Sequence, residues 1–476
     1  MDASGGTAAS RARFTDVHRH SRLLLALLTL LVCASCASPA ALSLRTTSAE
    51  RVKAPVVTGD GVLPPGASER VVDQRLDDRH ETEHVREMID AFRERAAAPL
   101  VAGNRVALLV DGPQTLHAIR GAIENAKHHV HLETYIFSDD EIGRALRELL
   151  IRRRQQGIEV RVLYDAIGSV TTPAAFFEPM RQAGVEVLPF RPLDPTRTLP
   201  WKLNNRDHRK IVIVDGRIAF TGGVNISGAY ASASSSRPGP EAGREEAWRD
   251  THVQIEGPVA AQFQKLFLET WERAGGRVDG GSAQYFPPLA PGGAELVAVV
   301  ATRGGDRDEA TIYDTYAAAI GHTSRRLWMT QAYFAPDDGL RRALIAAAAR
   351  GVDVRIIVPS FTDSGLIFHA SRKDYDELLG GGVRIYEQRY ALLHAKSMVI
   401  DTALSMIGSA NFDMRSFLHN NEVNAVVVGS DFAQRMEALF ERDLRDTREL
   451  ELQTWRQRPW MDRFKEFASS LFSYWL

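Results

Sequence analysis

The stretch NRDHRKIVIVDG, from Asn205 to Gly216, sets a histidine, a lysine and an aspartate at fixed intervals along a run rich in β-branched residues. The same order returns in LLHAKSMVIDT, from Leu392 to Thr402. His208 and His394 are each followed by a lysine two residues on (Lys210, Lys396), an aspartate seven on (Asp215, Asp401) and an asparagine seventeen on (Asn225, Asn411). Gly222 and Gly223 stand shortly before the first asparagine, Gly408 and Ser409 before the second. Residues two apart on a strand face the same side, so each His–Lys pair is expected to face one pocket. Gly223 and Ser409 are expected to leave room for an oxyanion to approach backbone N–H groups. A single His-x-Lys arises by chance; two with the same downstream spacing do not.

The repeat extends well beyond the motif. Residues Ala122–Ser169 parallel Ala319–Ser364, each reading helix, strand, helix, strand. FFEPMRQAGVEVLPF and YDELLGGGVRIYEQ then add a helix and a short strand to each half. Alternation of this kind predicts an α/β fold with parallel pairing, built as two similar halves over residues 100–275 and 290–450. Residues 37–99 read as a linker and an N-terminal helix. That helix, within Asp77–Ala98, carries Val85, Met88, Ile89 and Phe92 as one apolar face. Ala231–Ala247 reads as a low-complexity solvated insertion. Residues 451–476 form a tail rich in aromatic and basic residues, suited equally to docking on the domain or to lying in a membrane interface.

The bulk composition excludes rather than identifies. The chain has 476 residues, 44% hydrophobic and 25% charged, with a formal net charge of −2. That balance is globular and offers no basic excess for nucleic acid. Arg11, Arg13, Arg19 and Arg22 precede the apolar run Leu23–Val32, and CASCAS follows. This predicts a signal peptide over residues 1–36, export to a bacterial cell envelope, and Cys36 as a lipidated first residue. Simple cleavage near Ala37 and a retained anchor helix are the other two readings. Both cysteines lie in this segment, so no disulfide framework is expected.

The paired motifs resemble those of the phospholipase D superfamily, whose signature is HxKxxxxD followed by GGxN or GSxN, twice per chain. DHRKIVIVDGRIAFTGGVNIS, WRDTHVQIEGP and NFDMRSFLHNNEVNAVVV resemble bacterial cardiolipin synthases in particular. The resemblance spans about residues 100–450. It implies two phospholipase D-like α/β sandwich halves with the active site at their interface. A neutral imidazole attacks phosphorus and a second imidazole serves as acid and base. The family tendency makes His208 the nucleophile and His394 the acid/base. Lys210 and Lys396 would neutralise phosphoryl oxygens, with Asn225, Asn411, Ser409 and Gly223 beside them. No metal or other cofactor is expected. The resemblance also implies that Asp250 and Glu422, forty-two residues after His208 and twenty-eight after His394, orient the imidazoles. Asp215 and Asp401 belong to the motif, but each closes a strand before a turn, which suits a brace better than a substrate contact. Glu133 is suited equally to the pocket and to structure; His128, His129 and His131 read as surface or core. The expected partners are phospholipid substrates and a membrane surface, with no nucleic acid, and one chain suffices for one site. Transfer of a phosphatidyl group between lipids is the leading reading. Hydrolysis, a secreted nuclease and a scaffold with a dead site stand behind it.

Overall fold

Strand and helix alternate through both halves of the computed structural model, which describes residues 53–59, 61–78, 83–95, 98–193, 204–234, 247–278, 283–305, 311–362 and 364–471. The signal segment with Cys36, and residues 235–246 of the Ser-rich insertion, lie outside the described residues.

The first half contributes β1 (Leu100–Val110), β2 (His129–Thr134), β3 (Glu159–Asp165), β4 (Glu186–Phe190), β5 (Ile211–Val214), β6 (Ile218–Gly222) and β7 (Thr251–Glu256). The second contributes β8 (Glu295–Thr302), β9 (Arg326–Gln331), β10 (Asp353–Pro359), β11 (Arg384–Gln388), β12 (Lys396–Ile400), β13 (Leu404–Gly408) and β14 (Glu422–Val428). Their spatial orders match: β4-β3-β2-β5-β6-β7-β1 and β11-β10-β9-β12-β13-β14-β8. The first three strands of each series run parallel, as helical crossovers require. The motif strand then enters antiparallel to its neighbour and turns back in a hairpin. An antiparallel contact of β1 with β8 joins the two series.

The two hairpins explain the aspartates. Asp215 and Gly216, and likewise Asp401 and Thr402, take positive φ in succession, and the turns are closed by Arg217 N–H to Val214 O (3.0 Å) and Ala403 N–H to Ile400 O (2.9 Å). Two left-handed residues in a row give the twist that a tight hairpin needs, and Asp tolerates that conformation. The Asp215 carboxylate accepts from the backbone N–H groups of Lys127, His128 and His129. Asp401 does the same for Ser324, Arg325 and Arg326. Each aspartate thus ties its hairpin to the start of β2 or β9.

Two apolar layers follow from the strand pattern. Phe263, Phe267 and Trp271 on the helix Ala260–Arg273, and Phe432, Met436 and Phe440 on the helix Ser430–Leu444, join one core cluster with residues of both sheets. The outer face of the first half packs on the helices Asp111–Glu124 and Glu141–Gln155.

The N-terminal segment is more ordered than a linker. Val56–Thr58 is a strand that pairs with Leu100 and Val101. The predicted single helix is two, Pro65–Asp78 and Glu83–Arg95. Val85, Met88, Ile89 and Phe92 are buried, and the second helix packs on Thr311–His322. Arg93, fully buried, donates to Ala54 O at 3.0 Å and to Glu69 at 2.9 Å. The apolar spacing marked the helix correctly; the long-range pairing of Val56 and Val57 left no local signature. Replacing Phe92 with Ala is expected to remove about 3 kcal/mol of stability through lost burial and a residual cavity, measured by urea unfolding of the whole chain.

Candidate active site

Regular pairing in the first motif starts at Ile211, after His208 and Lys210. The reason is a change of partner. His208 N–H donates to Asn421 O (3.0 Å), and Asn421 N–H donates to Arg206 O (2.8 Å). In the second half His394 N–H donates to Arg249 O and Leu392 N–H to Ala247 O, both at 2.8 Å. Just before its own sheet, each motif therefore pairs with the other half.

This crossing decides which carboxylate meets which histidine. His208 Nδ1 lies 3.0 and 3.1 Å from the two oxygens of Glu422. His394 Nδ1 lies 2.8 Å from Asp250 Oδ2. Each imidazole is oriented by a carboxylate of the opposite half. Counting forty-two and twenty-eight residues within a half therefore measures no dyad. Both carboxylates are fully buried, while His208 and His394 stay 9% and 8% exposed.

Gly223 and Ser409 serve these carboxylates rather than an oxyanion directly. Gly223 N–H donates to Thr251 O (3.1 Å) and Ser409 N–H to Val423 O (2.9 Å), so both donors are spent on the neighbouring strand. A Cβ on Gly223 would sit 2.1 Å from Asp250 Oδ1; only glycine lets that carboxylate in. Ser409 instead donates its hydroxyl to Glu422 Oε2 at 2.5 Å, and Asn420 Nδ2 reaches Oε1 at 3.3 Å.

The lysines and asparagines are placed less uniformly. Lys210 Nζ donates to His208 O at 2.6 Å, and Lys396 Nζ donates to His394 O, so each His–Lys pair is bound together. Asn225 is committed to protein: Nδ2 donates to Tyr230 Oη (2.7 Å) and Oδ1 accepts from Ile136 N–H (3.2 Å). Asn411 is buried with its Oδ1 unsatisfied by protein. A phosphate-binding role is thus less direct for Asn225 than the motif implies. Asp215 and Asp401, although part of the motif, brace their hairpins and stand away from the histidines. Five residues beyond the lysine, at ~3.3 Å per residue, each lies roughly 16 Å along the strand from it.

Three aromatic residues complete the site without having stood out in the sequence. Tyr135 meets the His208 ring edge-on at 4.9 Å, with Lys210 Nζ 5.2 Å from its ring centroid. Tyr230 and Trp248 lie 5.6 and 5.4 Å from the His394 ring, and Tyr230 Oη comes within 3.4 Å of its Nδ1. A signal existed: the fifth position after each asparagine is Tyr230 in one half and Ser416 in the other, and Ser416 Oγ accepts from Asn411 N–H at 3.1 Å. Glu133 falls outside the pocket, fully buried near Asp207 and Arg209. His129 and His131 are buried and bridged by Gln264, whereas His128 is exposed.

Burial sets the charge state. It drives His208 well below its ordinary pKa, with Lys210 and Lys396 adding repulsion. His394 is lowered by burial and by Lys396, against the pull of Asp250. Burial also pushes Glu422 up to about 7 and Lys210 down to about 7. Asp250 goes the other way: burial raises it, but His394 and Lys396 outweigh that and hold it below the usual carboxylate range. The empty site thus holds two neutral imidazoles, one beside an ionised carboxylate and one beside a carboxyl poised near neutrality. Among the described residues no group of three or more His, Cys, Asp or Glu is placed to hold a metal ion. If the dyads cross, Glu422→Gln moves the ring-nitrogen chemical shifts of His208 and leaves those of His394 in place, and Asp250→Asn does the reverse. Shifts confined to the histidine of the same half would refute the crossing.

A family profile described as "Cardiolipin synthase, PLD-like domain" matches residues 119–271 and 316–444. A cardiolipin synthase of Geobacillus sp. (strain WCH70) is 36% identical over 401 residues, 82% of this chain and 76% of that protein. A probable cardiolipin synthase of Bacillus subtilis (strain 168) is 36% identical over 370 residues, 78% of this chain and 72% of that protein. Among solved structures, the phosphatidylserine synthase of Haemophilus influenzae Rd KW20 superimposes with a TM-score of 0.62, covering 83% of this chain and all of that one. At 14% identity this shows a shared fold.

Proposed function

As the chain belongs to the PLD-like cardiolipin synthase family, we propose that it moves a phosphatidyl group from one phospholipid to the hydroxyl of another. The crossed dyads carry this reading. Each carboxylate holds Nδ1 of its imidazole and so fixes the tautomer that leaves Nε2 for chemistry. The two imidazoles and the ammonium groups of Lys210 and Lys396 lie close enough to oppose one another's charge, which suits the site to an anion.

His208 is the nucleophile in this proposal. Its Nε2 lone pair forms a bond to phosphorus, and the bond from phosphorus to the leaving alcohol breaks. His394 gives its Nε2 proton to the departing oxygen. In the second step the incoming lipid hydroxyl returns a proton to His394, its oxygen bonds phosphorus, and the phosphorus–nitrogen bond breaks. Lys210 and Lys396 offset the charge on the phosphoryl oxygens. The charges support this order of roles: ionised Asp250 favours an imidazolium at His394, and burial with Lys210 and Lys396 nearby keeps His208 neutral. The entering phosphodiester supplies negative charge that offsets the lysines, which lifts His394 toward its protonated form.

With two phosphatidylglycerol molecules the products are cardiolipin and glycerol. Residues 1–36 suggest an exported chain at the cell envelope, anchored at Cys36, and one chain carries both dyads, so a monomer suffices. Incubating the full chain with phosphatidylglycerol vesicles and a chelator is expected to yield cardiolipin and glycerol, resolved by lipid chromatography. His208→Ala and His394→Ala should each abolish turnover. Phosphatidic acid in place of cardiolipin would make the enzyme a hydrolase, and full activity in either variant would overturn the two-histidine mechanism.

The pH profile tests the lysines. Lys210 titrates near 7 in the empty site, so its positive charge is present below that pH and lost above it. The value of kcat/KM, which reports groups on the free enzyme, is expected to fall on the alkaline side from about pH 7. Lys210→Arg keeps its charge throughout and should move that limb upward, whatever the height of the profile. An alkaline limb unmoved by this substitution would remove Lys210 from the titration.

A further inference from the structure

The chain ends in a helix turned inside out. In Trp460–Ser470 the residues buried against the protein are Glu466, Ser469 and Ser470. Its apolar residues face water instead. Trp460, Met461, Phe464, Phe467 and Leu471, with Leu366 on the adjoining helix Gly365–Arg372, are between 43% and 71% exposed, and they make up most of the large exposed apolar side chains among the described residues. At 100° per residue, Trp460, Phe464, Phe467 and Leu471 form one stripe.

The orientation is fixed by specific contacts on the inner side. The Arg458 guanidinium grips Glu466 at 2.7–3.2 Å, donates to Trp455 O at 3.0 Å and lies 4.4 Å over the Trp455 ring. Trp455 is itself buried beside Tyr375. A helix that merely frayed from the domain would not bury a carboxylate under an arginine to hold its phenylalanines outward.

The charges around the stripe say what covers it. The helical projection puts the exposed Arg463 beside the stripe, with Lys465, 3.8 Å from Asp462, further round and Glu466 on the side toward the protein. Long cationic side chains beside an aromatic stripe reach up to phosphate headgroups while the rings enter the acyl boundary. The position agrees. Gly365–Arg372 follows the carboxyl end of β10 and packs on Phe334–Ala335, which follow the carboxyl end of β9. At that end Gln331 pairs with Lys396 of the site.

We propose that the face of Trp460, Phe464, Phe467, Leu471 and Leu366 docks the protein on an anionic phospholipid surface. The transferase reading enters only in the choice of a lipid partner. The test reads no turnover, so docking and catalysis stand or fall separately. The full chain is mixed with phosphatidylglycerol vesicles that contain phosphatidylcholine brominated near the headgroup end of its acyl chains. Tryptophan fluorescence is compared between the wild type, Trp460→Phe and Phe464→Asp/Phe467→Asp. Expected is quenching of the wild type that exceeds that of Trp460→Phe, and an excess that the double substitution abolishes while the melting temperature holds. Equal quenching in wild type and Trp460→Phe would overturn the proposal, because Trp460 would then stay in water. A dimer that the double substitution dissolves, with no quenching assignable to Trp460, would reassign the face to a second copy of this chain.

Discussion

The backbone hydrogen bonds that cross between the halves are the constraint on which the site depends. His208 N–H to Asn421 O, and His394 N–H to Arg249 O, pull each histidine out of its own sheet and set it beside a carboxylate carried by the other. The remaining features follow from that exchange. Gly223 must lack a side chain because Asp250 fills the space. Ser409 can keep one because Glu422 accepts its hydroxyl. The fully buried Arg209 secures the seam by donating to Glu422 O, to Thr302 O and to the Thr270 hydroxyl.

The two dyads are alike in topology and unlike in charge. Burial lifts Glu422 toward neutrality, whereas Asp250, held by His394 and Lys396, stays ionised. A pair of identical half-sites could not assign different tasks to their histidines before substrate arrives. Here the difference is already present in the protein: burial prevails at Glu422 over Lys210 and the Ser409 hydroxyl, whereas His394 and Lys396 prevail over burial at Asp250.

Much of this was legible in the sequence, because the informative features are local. The His-x-Lys pairs, the hairpin aspartates and the helix-strand alternation are read over a few residues, and the structure keeps them. The internal repeat extended that reach to the two halves. What escaped was set by contacts between residues far apart in the chain. His208 and Glu422 are 214 positions apart, and no spacing inside a half reports that they meet. Tyr135 follows directly on β2, in a stretch whose local text gives no sign of the His208 ring it meets. The pairing of Val56 and Val57 with β1 was hidden in a stretch whose Ala, Ser, Pro and Gly content reads as linker.

The crossed arrangement also has a consequence in time. While the chain is being made, His208 exists long before the carboxylate that orients it. At about 5–20 residues per second, the 214 residues between them take roughly 10–40 seconds to synthesise. Through that interval the first half carries a histidine without its partner and an Asp250 without its histidine. Neither imidazole meets its carboxylate until the second half has folded against the first.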